Sequence, residues 1–151
     1  MALISYLKPE CRDNGMDEDE LINMAVSALK KFPYSIEKPV FEVMGKRKFV
    51  KYLKDVSLEI DPEKTPSFVA HLPDGELVVF CEEIISKMLS GKSETERKRF
   101  IEAITIHELF HIWNRRRCIT SEEAVLSEKE VHREIRKKYP KLAKVLDEYE
   151  Y

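Results

Sequence analysis

Between residues 16 and 32 the chain reads MDEDELINMAVSALKKF. Its apolar stripe runs through Leu21, Ala25 and Leu29, with acids before it and lysines after, which predicts an amphipathic helix closed by Pro33. From residue 39 to 61, VFEV and VSLEI have strand composition, and the basic segment GKRKFVKYLK between them fits strand or helix. SFVAHL and ELVVFC then flank Pro73, Asp74 and Gly75. The proline presets one dihedral and the glycine accepts a positive one, so this stretch predicts a β-hairpin. After Glu82 the period turns helical with EEIISKML. Ser93, followed three residues later by Glu96, forms a capping box that opens a long helix. A further helix is predicted from Ser121 to about Lys138, and a short terminal one over KLAKVLDEYEY. This order of helix, strands, then helices predicts an α+β fold, with a small, mostly antiparallel sheet packed on the N-terminal helix, the long helix from Ser93 and the helix that follows it.

A chain of 151 residues is the length of one domain, so residues 1–151 are expected to share a core. Charged residues make up 36% of it but nearly cancel, 26 basic against 28 acidic, so no global field favours nucleic acid or an anionic membrane. Cys11, Cys81 and Cys118 are widely spaced and form no Cys-x-x-Cys pair, which suggests reduced thiols in a cytoplasmic protein. The N-terminal run ALISYL is too short for a signal peptide or a membrane span. Glutamine is absent and Lys, Glu and Arg are abundant, a composition that leans towards a heat-adapted source.

The long helix contains AITIHELFHIW, which is apolar nearly all round and therefore belongs inside the domain. His107, Glu108 and His111 are carried inside with it. A buried carboxylate and two buried imidazoles need compensation, and a divalent cation supplies it. Residues four apart share a helix face, so both imidazoles can reach one ion at roughly 2.0–2.1 Å, while Glu108, about a third of a turn away, can touch a water on that ion. Imidazole donors favour zinc, with iron, nickel and copper also compatible. The competing reading is a chance His-Glu-x-x-His on a surface helix, which Ile106, Leu109, Phe110, Ile112 and Trp113 around the motif argue against.

A catalytic zinc site usually has three protein ligands. The glycine and third histidine of the metzincin pattern are replaced by Asn114 and Arg117. If the helices from 94 and from 122 form an antiparallel hairpin, a rise of roughly 1.5 Å per residue pairs positions whose numbers sum to about 238. His107 and His111 then lie level with residues 127 to 131. Glu128 shares a stripe with Ala124, Val131 and Ile135, whereas Glu130 points away, so Glu128 is the expected third ligand. Glu122, Glu123 and His132 are the alternatives. His132 also reads as a partner of a ligand histidine, a donor to the transition state, or a half-exposed helix residue.

HELFH followed by EKEVH resembles the gluzincin clan of zinc peptidases, and the small size and element order are similar to the minigluzincins. The resemblance implies a zincin-like domain and a peptide or protein substrate. It implies that His107, His111 and Glu128 hold Zn2+ and that Glu108 is the general base. The clan's downstream Glu-x-x-Ala/Ser-Asp is matched at Glu128, but Val131 and His132 stand where the small residue and the aspartate would be. Clan members can also be latent, which makes self-inhibition by the C-terminal tail DEYEY an expectation to test.

The hydrolysis so implied would use a zinc-acidified water, with Glu108 taking its proton, and a donor to the oxyanion from His132, His71 or Tyr139. SFVAHL could pair with an extended peptide as an edge strand. Two other classes compete. One is a non-catalytic module that keeps the zinc site for structure or regulation. The other is a nucleic-acid surface built on NRRRC and REIRKKYPK, whose cations sit where they would complement helix ends.

Overall fold

The computed structural model describes residues 17–56, 61–115 and 121–149, with the side chains of Val56, His71, Arg115 and residues 121–128 outside that description. The described elements are helix α1 (Glu18–Lys31), strand β1 (Val40–Met44), helix α2 (Lys46–Val56), a 3-10 turn (Pro62–Lys64), and the hairpin strands β2 (Ser67–Leu72) and β3 (Gly75–Cys81). Four helices follow: α3 (Glu82–Met88), α4 (Glu94–Arg115), α5 (Ser121–Lys138) and α6 (Pro140–Glu148). The fold is α+β.

The three strands lie in the order β1-β3-β2, with β1 parallel and β2 antiparallel to β3. The sheet is thus mixed rather than mostly antiparallel. Composition marks a segment as a strand but carries no direction; the chain leaves β1 through α2 and β2 before returning to β3, and such a crossover permits a parallel pair. The ambiguous basic segment is helical because Phe49 and Leu53, four apart, both find apolar cover. VSLEI falls at residues 56–60, largely outside the described residues.

Alternation along β3 explains why LVVFC is apolar throughout. Leu77, Val79 and Cys81 face α2 and α3, together with Phe68, Ala70, Phe49, Leu53 and Ile84. Val78 and Phe80 face the opposite layer of α1, α4, α5 and α6. As the central strand, β3 is covered on both sides and has no solvated face to make polar. The hairpin closes through Pro73 and Asp74, and Gly75, at φ 149°, takes a backbone angle that other residues rarely adopt.

Helix α1 lies against α4 and β1. It buries Leu21, Ala25 and Ala28, with Leu29 at the edge of that stripe. The capping box at the start of α4 is formed: the Glu96 amide donates to Ser93 Oγ at 3.2 Å, and the Ser93 amide donates to Glu96 Oε1 at 3.5 Å. From Phe100 to Phe110 every residue of α4 except Glu102 is buried, as its apolar circumference requires. Its C-terminal half joins an aromatic cluster in which Tyr34 stacks on Trp113 at 4.3 Å and Phe110 meets Phe32 and Tyr139 edge-on. This cluster pins the connection after α1 to the far end of the buried helix.

Helix α6 contributes Leu142, Ala143 and Leu146 to the same core. Removing residues 142–151 would therefore unpack the core, and such a truncation does not isolate any blocking role of the tail. No helix among the described residues is long and apolar enough to cross a membrane. Cys81 is a free, buried thiol whose pKa is pushed up by that burial; Cys11 and Cys118 lie outside the described residues.

Candidate metal centre

Helix α4 presents His107, Glu108 and His111 on adjoining faces of its buried half. His107 is 6% and Glu108 4% exposed, while His111 is half-buried, so the group opens towards solvent on the His111 side. One potential ligand atom from each of the three lies within 4.8 Å of those of the other two. The His107 and His111 Nε2 atoms are 3.1 Å apart, with the rings nearly perpendicular at 80°.

That separation suits a shared ion. Two nitrogens 3.1 Å apart, each about 2.05 Å from one centre, subtend an angle of about 100°, close to tetrahedral. The donor set fits as well: two imidazoles and a nearby carboxylate suit zinc or a similar transition metal, not magnesium or calcium.

Glu108 Oε1 lies 3.9 Å from His107 Nδ1, and Oε2 accepts a hydrogen bond from Ser67 Oγ at 2.8 Å. Ser67, 1% exposed, is the first residue of the edge strand β2. It shares its side of the strand with Val69, which packs into the α4 layer, so alternation aims its hydroxyl at the buried helix. Sequence reading missed this partner. The available signal was a lone hydroxyl in an apolar strand, on the face opposite Phe68 and Ala70, but naming its partner needs the sheet docked on α4.

His132 on α5 stands with its ring 5.5 Å from that of His107, tilted by 56°. This places α5 within one residue of the register expected from an antiparallel hairpin. His132 is not among the three residues whose ligand atoms cluster within 4.8 Å, so the structure sets it beside the first histidine rather than in the group itself. Glu128, the expected third ligand, and its alternatives Glu122 and Glu123 belong to α5, but their side chains lie outside the described residues. His71 belongs to β2, and its side chain is likewise outside them. Tyr139 is engaged elsewhere: its hydroxyl donates to the Lys31 carbonyl at 3.2 Å, at the end of α1.

No family model, curated protein or solved structure matches this chain. The chemistry is therefore read from the site alone.

Proposed function

We propose that the protein is a zinc-dependent peptidase in which His107 and His111 hold the ion and Glu108 is the general base. The observation that carries this reading is the pair of Nε2 atoms 3.1 Å apart on a buried helix turn, with a buried carboxylate beside them. Glu128 is the proposed third ligand, one helical turn before His132 on α5. His132 is proposed as a residue that steadies His107 or donates to the transition state. A gluzincin-like, zincin-type domain of the minigluzincin kind belongs to the same proposal.

Bound zinc would supply an acidified water and polarise the scissile carbonyl. Glu108 would act as general base towards the attacking water and as the acid that protonates the leaving amine. Ser67 holds one carboxylate oxygen, which fixes the side-chain torsion and leaves the other to face the histidines. The edge strand β2 offers main-chain groups to an extended peptide, so substrate and base would be organised by the same strand.

The test is metal analysis together with hydrolysis of a mixed peptide pool. Wild type should carry one zinc per chain and cleave. His111→Ala should lose the zinc, and Glu108→Gln should keep it and lose cleavage by a factor of at least about 100. Zinc retained by His111→Ala, or cleavage unchanged in Glu108→Gln, would refute the assignment. A wild type that binds zinc and cleaves nothing would instead mark a non-catalytic zinc module.

A further inference from the structure

Helix α5 carries His132 on its way to a second feature. Lys129, His132, Arg133, Arg136 and Lys137 line one groove of about 490 Å³, along a single stripe of the helix. Every described residue lining it is basic or a histidine. This is unexpected in a chain with 26 basic and 28 acidic residues.

Two ordinary explanations cover only part of the stripe. Cations in the last turn of a helix complement its dipole, which accounts for Arg136 and Lys137, but that effect fades within one turn and does not reach Lys129 or Arg133. Ion pairing accounts for Arg136, whose Nη2 lies 3.3 Å from Asp147 Oδ2. Lys129, Arg133 and Lys137 are exposed and make no ion pair among the described residues. Neither Glu130 nor Glu134, the acids of this half of α5, lines the groove. Glu134 accepts the Tyr34 hydroxyl at 3.0 Å, and the exposed Glu130, three residues before Arg133, flanks the stripe on the side of Arg133 and Lys137. Among the described residues the lining of the groove is thus positive throughout, with Glu130 at its flank. His132, at one end of the groove, has its ring 5.5 Å from that of His107, which sets the groove beside the candidate metal centre.

We infer that this groove receives an acidic segment of the peptide substrate, so that the site prefers bonds flanked on one side by Asp or Glu. The substrate role rests on the peptidase reading above, whereas the binding of an acidic peptide does not. Exposed ion pairs change affinity by a few-fold each, so three acids set against Lys129, Arg133 and Lys137 should give about a tenfold preference, expressed in KM.

The experiment uses the zinc-loaded full chain and six labelled peptides that differ only in a block of three Glu, three Ala or three Lys, placed on one or the other side of a common cleavable core. Anisotropy gives binding and product release gives kcat and KM, at low and high salt. Expected results are about tenfold higher kcat/KM for a Glu block on one side, loss of that preference in high salt, and its abolition or inversion in Arg133→Glu/Lys137→Glu with zinc content unchanged and the cleavage of the Ala-block peptides retained. Cleavage indifferent to the block, a Lys preference, or a Glu preference that survives the charge reversal would overturn the inference and leave the peptidase reading standing. Charge-sensitive binding of the Glu peptide without cleavage of any peptide would support the groove and remove the peptidase. Tight binding of a single-stranded oligonucleotide, lost on the same reversal and without any peptide preference, would assign the groove to nucleic acid and overturn the inference.

Discussion

Removing the Ser67 hydroxyl perturbs the site at one atom. Ser67 Oγ donates to Glu108 Oε2 at 2.8 Å, and both residues are almost wholly enclosed, at 1% and 4% exposure. Water cannot readily replace the donor in Ser67→Ala. Leaving a buried polar group without its partner costs about 1–3 kcal/mol, so the variant should be destabilised by about 2 kcal/mol. For a domain of this length that corresponds to a fall in Tm of roughly 4–8 °C. A single variant would not separate the bond from repacking, so the measurement is a double-mutant cycle with Glu108→Leu, by urea unfolding in EDTA to keep metal binding out of the equilibrium. Removing both partners together leaves no carboxyl without its donor, and the double variant should be at least as stable as Ser67→Ala alone. A coupling energy of about 1.5–3 kcal/mol is expected. A value below about 0.5 kcal/mol would refute the claim that Ser67 holds the carboxylate, and with it the account of how Glu108 is oriented.

Two further outcomes follow from the fold. Glu63 sits 2.7 Å from Lys46 Nζ and 3.1 Å from Lys87 Nζ, and these hydrogen bonds, Lys46's first, hold its carboxyl below the ordinary value. The stabilisation this adds is complete above the usual carboxylate range and drains as pH falls through the folded-state value, so the stability gap between wild type and Glu63→Gln should close in acid; a gap independent of pH would disprove the linkage. Tyr34→Phe keeps the stacking on Trp113 but loses the 3.0 Å bond to Glu134, and should cost about 1 kcal/mol in urea unfolding, with no change refuting a role for that bond.

Much of this protein is local, and the sequence determined that part. The caps of α1 and α4 follow from Asp17, Ser93 and Glu96, the hairpin from Pro73 to Gly75, and the burial of α4 from its unbroken apolar circumference, because each depends on residues within a turn or two of one another. The His107 and His111 pairing is equally local, since the helix period alone stacks residues four apart. Even the level of His132 could be read, because a short connection between helices leaves little freedom in their register. Tertiary structure decided the rest. The parallel pairing of β1 with β3 and the helical state of Lys46–Val56 depend on which distant surface covers Phe49 and Leu53. The bond from Ser67 to Glu108 joins residues 41 positions apart, and the placement of the Lys129, Arg133 and Lys137 stripe in the open beside the metal centre depends on which side of α5 is packed against α4. Sequence periodicity specifies which residues share a face, whereas only the packing of elements specifies what that face meets.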